Sequence, residues 1–118
     1  MRLGVAAGLI GMIMGIAMGA AHDFTLAPVH AHINLAGWVT MFLAGLFYRL
    51  HPECENTLGR VHFWLAAIGL LIFAPGIAGA NANLPWGVPV AIAGSMLTLA
   101  AMLVFALVVF RTRGASEV

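Results

Sequence analysis

Five histidines, His22, His30, His32, His51 and His62, stand in a chain with few other polar side chains. An imidazole in an apolar medium must find a hydrogen-bond partner, a metal or a polar cavity, because leaving it bare is costly. His22, His30 and His32 lie together with Asp23, whereas His51 and His62 flank a separate polar stretch. At about 100° per residue on a helix, His30 and His32 project to nearly opposite sides, and Asn34, four residues on, shares the face of His30. One helix then serves two sites. Neutral imidazole is a standard axial ligand of haem iron, and the small residues Ala31, Ala36 and Gly37 leave space for a flat macrocycle. Trp38 sits about two turns inside, where its indole N–H needs a partner in the protein or beside a cofactor. His30, His32, Asn34 and Trp38 are therefore the candidate cofactor-binding set. His22, Asp23, His30 and His32, contributed by several protomers, form a candidate set for copper or another divalent ion near the outer surface, since imidazole and carboxylate together tolerate several ions. A closed zinc site fits less well, because residues two apart diverge and no cysteine completes a tetrahedron. The plainer role, hydrogen bonding to headgroups, water or backbone carbonyls, stays open on the residues alone.

The elements that would hold these side chains follow from composition. Of 118 residues, 63% are hydrophobic and 8% are charged, more apolar surface than one soluble core of this size can hide. A hydrocarbon core about 30 Å thick needs roughly 20 apolar residues per helix, and four runs meet this, at about 3–21, 28–50, 61–80 and 86–110. Short breaks at 22–27, 51–60 and 80–85 carry Pro, Asn or Asp, which favour turns. The expected architecture is all-α: a single domain, 1–118, forming a bundle of four transmembrane helices. The first run is longer than a signal-peptide core, so it is read as a span.

Arginines set the expected orientation, there being no lysine. Arg2, Arg49, Arg60, Arg111 and Arg113 all fall before the first span, around the second break or after the fourth span. The positive-inside rule then puts both termini and the second break in the cytoplasm. A net charge of +1 gives no footprint for nucleic acid, so membrane lipid is the expected surrounding partner. The lone Cys54 falls in the cytoplasmic break, where a reduced thiol is expected.

Packing signals accompany the spans. Gly4, Gly8, Gly11, Gly15 and Gly19 form small-xxx-small series that let a neighbouring backbone approach. Met12, Met14 and Met18 on the same span are soft donors, though ordinary packing suffices to account for them. Pro75 should bend the third span, with Gly76 and Gly79 beside it leaving room for something bulky. Trp64 and Trp86 fit interfacial anchoring, and His62 is read as an interfacial residue at the start of its helix.

The stretch His22-Asp23, six residues, then His30-Ala31-His32 resembles the segment leading into the tenth helix of the catalytic subunit of haem–copper oxidases. The likeness continues through Pro52, through Leu58-Gly59-Arg60-Val61-His62-Phe63-Trp64-Leu65, and through Gly69 and Pro75, over about 60 residues in order. The whole chain is similar to the last four-helix unit of that subunit, standing alone. The resemblance implies that His32 matches the low-spin haem ligand, that His30 matches the ligand of the haem in the oxygen-reducing site, and that His22 and Asp23 match a pair near the propionates that helps hold a non-redox metal. The copper-holding histidines, cross-linked tyrosine and proton channels of the family have no counterpart here, so a complete oxidase site is not expected. The arginine pair near the propionates is also missing, with Asn81, Asn83 and Trp86 in its place.

The family subunit arranges three such arcs about a pseudo-threefold axis, which implies a homo-oligomer, trimer or dimer, able to bring a second axial imidazole. The functional expectation is a haem b protein of the bacterial inner membrane, in electron transfer with a respiratory donor or in binding a diatomic gas. Enzymatic turnover stays an open question. Alternatives are a copper or other metal protein without haem, and a structural or assembly subunit docking on a respiratory complex through its glycine face.

Overall fold

The structure, a computed structural model, describes residues 1–112; Arg113, used above for orientation, lies outside the described residues. Four helical segments are long and apolar enough to cross a membrane. Helix α1 (Arg2–Ala21) is the first. The second span, Ala27–Leu50, is composite: α2 (Ala27–His32) runs into a π-helix (Ile33–Thr40), which runs into α3 (Met41–Leu50). Helices α4 (Thr57–Asn81) and α5 (Gly87–Arg111) complete the set, and no strand occurs among the described residues. The chain is thus a multi-pass, all-α assembly of spans.

Successive spans run antiparallel. Gly4 of α1 meets Phe42 and Gly15 meets His30, so α1 and the second span pass in opposite directions. Tyr48 meets His62 and His32 meets Phe73, which turns α4 back again. Gly76 lies against Val90 and Ala91, and Gly79 against Trp86, setting α5 antiparallel to α4. Arg2, Arg49, Arg60 and Arg111 consequently share one end of the array, and the loops carrying His22 and Asn83 share the other. Each span packs chiefly on its neighbour in sequence, giving a row about 29 Å wide and 18 Å thick rather than a closed ring.

So thin a row leaves large apolar side chains open: Ile16, Leu71 and Phe110 are 74%, 71% and 88% exposed. Lipid or another protein surface, not water, suits such side chains. Close approach between spans depends instead on small residues, as membrane packing commonly does. The buried positions of α1 are Gly4, Ala7, Gly8 and Gly11, all toward the second span.

Two local details differ from the sequence expectation. Helix α4 starts at Thr57, because the Asn56 side chain accepts from the amides of Leu58 (2.9 Å) and Gly59 (3.4 Å), an N-cap that draws Arg60 into the helix. Pro75 lies within α4, and the room beside it is taken within the chain: Gly76 lies against the Val90–Ala91 backbone of α5, and the Trp86 ring is the bulky group that rests on Gly79.

Candidate functional site

The histidine-bearing end is built from two loops of one design. His22 and Asn83 both take the left-handed conformation, at φ 53° and 55°. His22 N–H donates to Gly19 O and Asp23 N–H to Met18 O, while Asn83 N–H donates to Ala80 O and Leu84 N–H to Gly79 O. Each is a Schellman stop, in which one left-handed residue lets two amides satisfy the last carbonyls of a helix. Asp23 Oδ1 then accepts from the Thr25 hydroxyl at 2.6 Å and from its amide at 3.0 Å. Those bonds hold the carboxyl below the usual carboxylate range, because they favour its charged form. Asn81 Nδ2 donates to Thr25 O at 2.9 Å, tying the two loops together.

Along the second span, His30, Asn34 and Trp38 form a column at a spacing of four. On an ideal α-helix such a column drifts round the axis, since four residues exceed one turn of 3.6. A π-helix closes i→i+5 bonds and has the wider turn, which keeps residues four apart more nearly in line. Here the π segment begins at Ile33, directly after His32, and the Thr40 hydroxyl donates to Leu35 O at 2.8 Å within it. The column meets the glycine row of α1 rung by rung: His30 rests on Gly15, Asn34 on Gly11 and Trp38 on Gly8. A Cβ at Gly8 or Gly15 would stand 2.9 Å from its partner's ring.

His30 closes this contact with a hydrogen bond from Nδ1 to Gly11 O at 2.8 Å, and Asn34 Nδ2 donates to His30 O at 2.9 Å. His32 faces the other way. Its Nδ1 donates to Pro28 O at 2.7 Å, its ring meets Phe73 edge-on at 4.9 Å between centroids, and it lies exposed on the array. The expected divergence of the two histidines and the shared face of His30 and Asn34 are both present.

A backbone carbonyl only accepts, so in the neutral ring each bond places the proton on Nδ1 and leaves Nε2 with its lone pair. Metal-binding histidines are commonly fixed this way, with the second nitrogen donated to a carbonyl. His32 combines that tautomer with an accessible ring. His30 has the same tautomer, but its ring is enclosed by Gly11, Gly15 and Asn34. Gly37, expected to leave room for a macrocycle, is filled by Ala7 and Leu70. Among the described residues, no three His, Cys, Asp or Glu side chains converge, so His22, Asp23, His30 and His32 do not form one cluster within a chain. Trp38 lies over Gly8 and is 42% exposed.

The opposite end holds a feature that the sequence reading did not assign. His62 is 4% exposed, the one buried charged or polar side chain of the core among the described residues. Its Nδ1 pairs with the Tyr48 hydroxyl at 3.1 Å, and its ring stacks on Phe105 at 4.8 Å and 25°. The signal was Asn56: a helix capped there carries His62 into its second turn, where its ring packs against Tyr48 and Phe105. Cys54 is also buried, with Sγ 3.3 Å from the Thr112 hydroxyl.

Comparison with known proteins finds no family that matches the chain and no solved structure that matches it.

Proposed function

We propose that the protein is a membrane haem b protein that holds its iron through His32 on the open face of the helix row. The observation that carries this reading is the His32 ring itself: Nδ1 is committed to Pro28 O, Nε2 is free, and the ring stands exposed beside Phe73. An axial ligand needs that combination of fixed tautomer and access. The His-x-His resemblance to the haem–copper oxidase subunit points to the same residue.

A single row 18 Å thick cannot enclose a macrocycle from both sides. We assign the second side to another copy of the chain, in a closed homo-oligomer whose uncovered apolar faces meet and bring a second imidazole or an open coordination position. His30 and Asn34 act in this reading as the support that fixes the second span against α1, and Trp38 completes that contact. Bound haem supplies one-electron chemistry or a site for a diatomic gas. His32 would supply the nitrogen that holds the iron, and Phe73 an apolar wall beside it. Respiratory electron transfer in a bacterial inner membrane is the setting this chemistry suits.

A second reading rests on Asp23. Its carboxylate is held ionised by Thr25, has Oδ2 uncommitted, and adjoins the exposed His22. Copper or another divalent ion held by His22 and Asp23 from several copies is the metal chemistry that arrangement serves.

The deciding experiment is an oxidised and reduced optical spectrum of protein purified from haem-supplemented cells. The haem reading expects a Soret band, lost in His32→Ala and retained in His30→Ala. A colourless protein that carries stoichiometric copper supports the second reading instead.

A further inference from the structure

At the arginine-bearing end a cleft of about 470 Å³ opens between α1, the second span and α4. Its rim carries Arg2, Arg49, Arg60 and Glu55, and Tyr48 and His62 line its depth. Three guanidinium groups therefore face one carboxylate. Among the described residues the ion pair found is His51 with Glu53, at 3.2 Å, so none of these three arginines is ion-paired with a described carboxylate, Glu55 included. Deeper in, Met41, Ala44 and Phe63 make an apolar floor.

His62 adds an independent pointer. Its Nδ1 is bonded to Tyr48, and no bond occupies Nε2. No side-chain nitrogen or oxygen among the described residues is both buried and unpartnered, so Nε2 reaches open space, and the space that His62 lines is this cleft. A nine-tenths buried ring thus presents a polar atom to a basic cavity. The glycines make the cavity walls close: Gly45 lies under Met1, and Gly59 lies under Tyr48 and the Cys54 carbonyl.

The geometry points to a binding site for an anionic phospholipid, its phosphodiester among Arg2, Arg49 and Arg60, its glycerol end toward Tyr48 and His62, and its first acyl carbons on Met41 and Phe63. Guanidinium forks match phosphate oxygens in bidentate pairs. Basic pockets between spanning helices are a recurrent way of holding such headgroups. A free anion would use the arginines but leave the apolar floor unused. This site lies at the other end of the array from His32 and stands or falls separately from the haem reading.

The test is native mass spectrometry of full-length protein released from nanodiscs of phosphatidylcholine with a minority of phosphatidylglycerol. Retained phosphatidylglycerol is expected to be enriched over its share of the bilayer by about tenfold, given several charge-assisted phosphate contacts. Arg49→Gln with Arg60→Gln abolishes the enrichment, and Arg111→Gln, at the same end but outside the cleft, keeps it. Ala44→Phe fills the floor without changing charge and lowers retention as well, which covers the case in which the double variant fails to fold. Equal retention of the two lipids by the parent, full enrichment in Ala44→Phe, or an equal loss in Arg111→Gln overturns the site. Release of the lipid by millimolar inorganic phosphate overturns the lipid in favour of a free anion.

Discussion

His30 on the second span donates from Nδ1 to the carbonyl of Gly11 on α1 at 2.8 Å, across an interface that glycine alone makes narrow enough. The carbonyl already serves the helix of α1, and its second lone pair takes the imidazole proton. Asn34 lies directly on the same glycine, so a side chain at position 11 would displace the amide and lengthen the His30 bond together. Packing and polar pairing are coupled at this one rung.

Gly11→Leu is therefore expected to destabilise the protein by about 1–3 kcal/mol, the range for overfilling a packed interface. Gly19 continues the same row but has no atom within 4 Å of an added Cβ, so Gly19→Leu should stay within about 0.5 kcal/mol of the parent. Unfolding in mild detergent, followed by circular dichroism, measures both. Equal effects at the two positions would show that the row is not a graded contact.

The spans and their antiparallel order were legible in the sequence because hydrocarbon thickness dictates length and because the breaks carry turn-forming residues. The opposed directions of His30 and His32 were legible from helical period. The π segment was not, since periodicity arguments assume one turn width throughout, and only the meeting of a four-spaced column with the Gly4, Gly8, Gly11 and Gly15 row shows what the wider turn achieves. The burial of His62 was not legible for a different reason. Arg60 was read as the end of the break, whereas the Asn56 cap, a two-bond local effect, starts the helix earlier and sets the imidazole in its second turn, against Tyr48 and Phe105.

That buried imidazole gives a second prediction. Removing the Tyr48 hydroxyl leaves His62 Nδ1 without its partner in a buried position, and Tyr48→Phe should cost about 1–3 kcal/mol. Replacing both partners by apolar rings removes the unsatisfied group, so Tyr48→Phe with His62→Phe should cost less than the sum of the single changes. A double-mutant cycle reads this directly. Additive costs would show that the 3.1 Å contact carries no coupling.

The loop stops make a third. A non-glycine residue in the left-handed region carries a penalty of roughly 1–2 kcal/mol, softened for Asn and His by their local hydrogen bonding. His22→Gly and Asn83→Gly should each leave the Schellman bonds intact and raise stability by up to about 1 kcal/mol. Thermal unfolding in the absence of added metal tests the pair. A loss at either position would show that the side chain contributes more than its left-handed strain, and copper stabilisation of the parent that disappears in His22→Gly would assign that imidazole to the ion-binding role.

Asp23 supplies the pH dependence. The Thr25 hydroxyl and amide hold its carboxyl below the usual range, so the folded protein binds this proton less readily than the unfolded chain does. A depressed folded value contributes stability that is present above the unfolded value of about 3.9 and is lost as pH falls through the folded value. The first loop should accordingly hold its Asn81 tie from neutral pH down to about pH 4 and loosen only below it. Thr25→Val removes the shorter of the two bonds and leaves the amide, so the titration midpoint should move upward toward the ordinary carboxylate value without fully reaching it. Carboxyl-carbon NMR on selectively labelled protein follows Asp23 through this window. A parent midpoint at the ordinary value, unmoved by Thr25→Val, would mean that the 2.6 Å hydroxyl bond does not persist in solution.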